Sequence, residues 1–189
     1  MRENSYGNWL VEFAKAGAAV ANYCDHVEHN EPAERSWVLT SASTLRRLAA
    51  EIARAEGEDL RGLYAARLQQ VEQRNPAWSP GELDGAALAE AASSWRELQL
   101  AQLAHDRRYH PDIVGLSKAD QLRHCALHVA KLTGALAEIS CGELDREDFV
   151  ERRVPDMLLF GLKLATLCGE RLEEEALGAS GQPLELVAG

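Results

Sequence analysis

His124 and His128 stand four positions apart in a stretch of helical periodicity, so their rings face the same way. Two imidazoles at that spacing are a start toward a transition-metal site, and Zn²⁺ or Fe²⁺ would suit them. The bland alternative is a ring at the core edge, hydrogen-bonded to a neighbour. His105 and His110 come just before, at a helix end and in the loop that follows. They could add a ligand to the pair, or pair with Asp106 or Asp112 to position a general base. Helix ends also favour His, Asp and Arg for capping alone. Cys24, His26 and His29 are spaced too tightly for a structural zinc site and have no second half. The chain has no Gly-rich phosphate loop, nucleophile elbow or zincin motif.

The elements that carry these residues read as helices throughout. Trp9, Phe13, Ala16, Val20, Cys24 and Val27 recur at steps of three and four, which predicts a helix over 6–27. A second helical region begins near Trp37. Ser41 or Ser43 is its expected cap, and Gly57 its stop. Asp59 is placed to cap a third helix bearing Leu60, Tyr64 and Leu68. The run 75–85, with two prolines and two glycines, predicts a break. One helix is expected over 86–108, then a loop held open by Pro111 and Gly115. Ser117 caps the next helix, whose stripe of Leu122, Cys125, Val129, Leu132, Leu136 and Ile139 is widened by small residues. A last helix is expected over 146–172, apolar on nearly every side, with Asp156 near its start and Pro155 in its first turn or kinking it.

Composition bounds the function. The chain has 189 residues, is 46% apolar and carries a formal charge of −10. That balance argues against nonspecific nucleic-acid binding, which needs clustered Lys and Arg. No apolar run is long enough to span a bilayer. With no apolar leader core and no CxxC spacing among Cys24, Cys125, Cys141 and Cys168, the expectation is a cytoplasmic protein with reduced thiols, most of them buried. The tryptophans Trp9, Trp37, Trp78 and Trp95 read as core or interface anchors.

Trp95, Arg96, Glu97, Leu98 and Gln99 open a helix in the manner of an "LxxLQ" motif. The segment 127–137 keeps Gly134, Leu136 and Ala137 of an "LxxEExGELxxA" helix. The segment 152–158 keeps Asp156 of an "EExxDxL" helix, with Leu164, Ala165 and Gly169 fitting its end. In this order the region 95–169 resembles the MazG-like superfamily of all-α nucleoside triphosphate pyrophosphohydrolases. The resemblance implies an all-α MazG-like helical bundle over 86–174; the region 1–80, which it does not cover, is expected as an N-terminal helical extension, and 175–189 as a flexible tail. In that family the acids hold Mg²⁺, which bridges phosphates and activates water. Here Lys131, Leu132 and Ala135 stand at the first acidic motif, and Arg152 and Arg153 at the second. One remaining carboxylate cannot hold octahedral Mg²⁺ at useful affinity.

Two things could occupy the vacated site. His124, His128 and Asp156 are candidate ligands for Zn or Fe, with Asp156 and His128 as the catalytic pair of a divergent phosphate-ester hydrolase. Alternatively, Lys131, Arg152 and Arg153, joined by His105 and His110, bind an anionic or phosphorylated ligand without metal. A structural Lys131–Asp156 pair with two solvated arginines is the plain alternative to both. The leading expectation is a non-catalytic helical protein that binds such a ligand or a protein partner and needs no cofactor. A structural interaction module is the third possibility. Small-residue helix faces often complete their core by self-association, so a homo-oligomer is expected.

Overall fold

The computed structural model describes residues 3–74 and 84–173, and these are helical without a β-strand among them. The protein is all-α. The long helices are α1 (Glu3–Glu28), α2 (Arg35–Glu56), α3 (Leu60–Arg74), α5 (Trp95–Tyr109), α7 (Lys118–Ser140) and α9 (Val154–Leu167). Shorter pieces are α4 (Gly85–Ala91), α6 (Pro111–Val114) and α8 (Arg146–Asp148), the last followed by a π-helical turn, Phe149–Arg153. No helix among the described residues is long and apolar enough to cross a membrane.

The helix α9 is the axis. Val154, Met157, Leu158, Leu162, Leu164 and Ala165 on it have no exposed surface. Burying a large apolar side chain stabilises the fold by about 1.5–3 kcal/mol, so a helix apolar on all sides must lie inside. α2 packs along α9, with Gly161 against Arg46 and the Ala42 carbonyl. α1 packs along α7, where a Cβ on Gly17 would stand 3.1 Å from Val129 Cγ1. Phe13 and Val20 of α1, Leu45 and Ile52 of α2, and Leu136 and Met157 from the C-terminal half belong to one hydrophobic cluster.

Local signals mark most helix ends. Gly57 takes a left-handed φ of 83° and closes α2. Asp59 accepts from the Arg61 and Gly62 N–H groups to start α3. Ser117 accepts from Asp120 N–H at 3.2 Å and caps α7. Four expectations are corrected. Ser41 is not a cap: it lies inside α2, where its hydroxyl bonds the Trp37 and Ala16 carbonyls. The helix expected over 86–108 is two, because Ser94 caps a fresh start and Glu97 reaches back to Ser93 N–H and Oγ. The loop expected after it winds a short helix, α6, with Pro111 in its first turn. The last helix starts at Arg146 as expected, but passes through a π turn at Phe149–Arg153 and stops at Leu167. Pro155 has no N–H to give the α-helical ladder, and Val154 N–H instead reaches back five residues to the Phe149 carbonyl.

The cysteines are free; Cys125 and Cys168 are buried, Cys24 is half-buried and Cys141 exposed, so burial covers two of the four. Trp9 and Trp95 pack on the core and Trp37 meets the His26 ring edge-on. Trp78, most of the 75–85 break and the 175–189 tail lie outside the described residues.

Candidate functional site

α7 and α9 run antiparallel, and their contacts set a register. The His128 ring lies on Phe160, centroids 4.6 Å apart and planes at 20°. His124 is 4.5 Å from His128 and lines a cavity with Lys163, one turn beyond Phe160. Further along α7, Lys131 is exposed and Ala135 is buried.

Asp156 is paired, but from an unforeseen direction. Arg67 on α3 donates Nε–H to Oδ1 at 2.8 Å and Nη2–H to Oδ2 at 3.1 Å, a fork-to-fork pair. Its third nitrogen donates to Gln70 at 2.6 Å. The pair is largely buried, 18% and 15% exposed at the two side chains. The guanidinium therefore takes both oxygens that a metal at Asp156 would use. Among the described residues no three His, Cys, Asp or Glu side chains converge as a ligand set. His124 and His128 are brought together; no contact between either ring and Asp156 is seen.

Arg152 and Arg153 both turn to Asp148, at 3.0 and 3.7 Å, and Arg153 Nε is buried without a partner. The histidines of α7 and α6 are also shifted. Burial, then His124, Lys131 and Lys163, push the His128 imidazole down to about 4. Burial and then Lys163 lower His124 and His110. Desolvation and neighbouring positive charge favour the neutral ring in all three.

His105 serves elsewhere. It is 1% exposed, and its Nδ1 lies 3.0 Å from Glu72 Oε1, which also accepts from Ala86 N–H. Its Cβ fills the space beside Gly85, and its ring stacks on Tyr109. It ties α3, α4 and α5 and presents no open face to a ligand. His110 sits 5.5 Å from His105 at the start of α6.

A second buried pair escaped the sequence reading. Lys163 Nζ lies 2.8 Å from Asp106 Oδ1, each side chain 12% exposed. Neither this pair nor Arg67–Asp156 has a local sequence signal, since the partners are 57 and 89 positions apart. Lys163 interrupts an otherwise apolar run, which was the available hint. No family model, curated protein or solved structure matches this chain.

Proposed function

We propose that this is a non-catalytic helical bundle of MazG-like build that binds an anionic, phosphate-bearing ligand directly with cationic side chains. The observation that carries the reading is the Arg67–Asp156 fork: the one acid left in the motif is already neutralised by a guanidinium. Lys131, Arg152 and Arg153 stand at three of the acidic positions of the resemblance, and uncharged Leu132 and Ala135 at others, so the acidic face is replaced by one with cations. Arg152 and Arg153 carry guanidinium donors suited to phosphate oxygens. Cytoplasmic residence belongs to the same proposal, and the free thiols fit it. So does self-association: Leu127, 68% exposed, lies next to His128 on α7 and offers apolar area for a second copy.

The test is thermal unfolding with inorganic pyrophosphate in the presence of a chelator. A ligand that binds only the folded state raises the melting temperature. Pyrophosphate raises it for the native chain and not for Arg152→Glu/Arg153→Glu. An equal rise in both, or none in either, contradicts the proposal. Light scattering showing a strict monomer at micromolar concentration contradicts the self-association.

A further inference from the structure

Beyond the arginine face, further along α9, the Lys163–Asp106 pair stands at the edge of a small cavity between α5, α6, α7 and α9. The cavity measures about 70 Å³. Leu103, Ile113, Val114 and Leu167 wall it, and Gln121 and His124 also line it. Behind the pair the polar groups are locked. Gln102 donates to Asp106 Oδ1 at 2.9 Å, and Tyr64 O–H donates to the Gln102 oxygen at 2.5 Å. Gln121 spends its N–H groups on the Val114 and Leu116 carbonyls.

Such a pair is a poor way to close a helix seam. Replacing a buried ion pair with apolar residues of similar volume is often neutral or stabilising, because desolvation offsets the attraction. Here the pair is also incompletely used. Both contacts to the Asp106 carboxylate fall on Oδ1, with none to Oδ2 among the described contacts. The Lys163 ammonium has three donors and one close acceptor. Two Lys163 donors and the Asp106 Oδ2 acceptor are therefore left at an apolar-walled space.

We propose that this cavity binds a neutral ligand through a planar amide or lactam edge. The ligand carbonyl accepts from the Lys163 ammonium, and its N–H donates to Asp106 Oδ2. A carboxylate would meet the Asp106 charge, and an ammonium would meet the Lys163 charge. A purely apolar group would desolvate the pair and return nothing. The volume equals about two waters at ~30 Å³ each, so the edge enters and the rest of the ligand lies outward past α6. The inference does not rest on anion binding at the arginine face; the two regions use different charged groups.

The experiment is an NMR titration of the full ¹⁵N-labelled chain with acetamide and 2-pyrrolidone. Acetate and methylammonium serve as charged comparisons of similar size. The expected result is saturable shifts at the backbone amides of Gln102, Asp106, Gln121, His124 and Lys163 with the two amides, at least fivefold weaker with the charged pair. Lys163→Met/Asp106→Leu keeps the seam neutral and abolishes the shifts. Asp106→Asn, the milder change, weakens amide binding at least fivefold and covers the case in which the double variant does not fold. Saturation by the lactam alone supports the site and narrows its ligand class. Any of three results overturns the inference: no saturable shift with either amide, equal binding of acetate, or unchanged binding in the folded variants.

Discussion

Arg67 and Asp156 meet across α3 and α9 in a two-point pair, Nε to Oδ1 at 2.8 Å and Nη2 to Oδ2 at 3.1 Å. Removing one partner strands the other in a largely buried place. Arg67→Met is expected to destabilise the fold by about 3 kcal/mol, the low end for breaking a buried pair. Arg67→Met/Asp156→Leu should recover most of that loss, because no uncompensated charge remains. Urea denaturation of the three proteins checks this. A double variant as unstable as the single one would show that the pair is not the cause.

Stability should fall on mild acidification. His128 titrates near 4 in the fold, lowered by burial and then by His124, Lys131, Lys163 and His110, against an ordinary value near 6.5. The folded state binds the proton less readily than the unfolded chain. The contribution is therefore fully present above about 6.5 and is lost as pH falls from there toward 4. Lowered values at His124 and His110 add in the same direction. Because the ring is half exposed, its share is on the order of 1 kcal/mol after solvent screening. His128→Gln should flatten the slope of the urea midpoint between pH 6.5 and 4.5. An identical slope in the variant would assign the effect to other groups.

Close helix approach at two glycines predicts steric cost. A Cβ on Gly161 would stand 2.8 Å from Arg46 Cγ and 3.0 Å from the Ala42 carbonyl oxygen; on Gly85 it would stand 2.5 Å from His105 Cβ and 3.0 Å from the Ala101 carbonyl oxygen. Gly161→Ala and Gly85→Ala are each expected to destabilise by about 1–3 kcal/mol, the usual range for overpacking. Gly134, on α7, has nothing within 4 Å of its Cβ position. Gly134→Ala should stabilise by about 0.5–1 kcal/mol through helix propensity alone. Thermal melts of the three variants test the contrast in sign.

How much of this was legible follows from the range of the forces involved. Apolar periodicity and caps are local, so α1, the Gly57 stop and the Ser117 start could be read directly. The division at Ser94 was also readable, since Ser94 and Glu97 have the Ser-x-x-Glu spacing of a capping box, but the apolar stripe running across it masked the break. Ser41 misled because a serine can bond a carbonyl four residues back as readily as it caps. At the site, helical spacing gave the His124–His128 pair. It could not give Arg67 or Asp106, because their partners are fixed only once α3 and α5 dock on α9. His105, expected near a ligand, instead holds Glu72, a choice made by tertiary packing.

On the proposed function, the cationic face binds phosphate oxygens without a divalent ion and does not hydrolyse what it binds. Calorimetric titration of a nucleoside triphosphate, in chelator and then in Mg²⁺, with pyrophosphate release followed in the same samples, tests it most directly. The account predicts saturable binding of similar affinity in both conditions and no released pyrophosphate. Binding that requires the divalent ion, or release that Asp156→Asn abolishes, would contradict it.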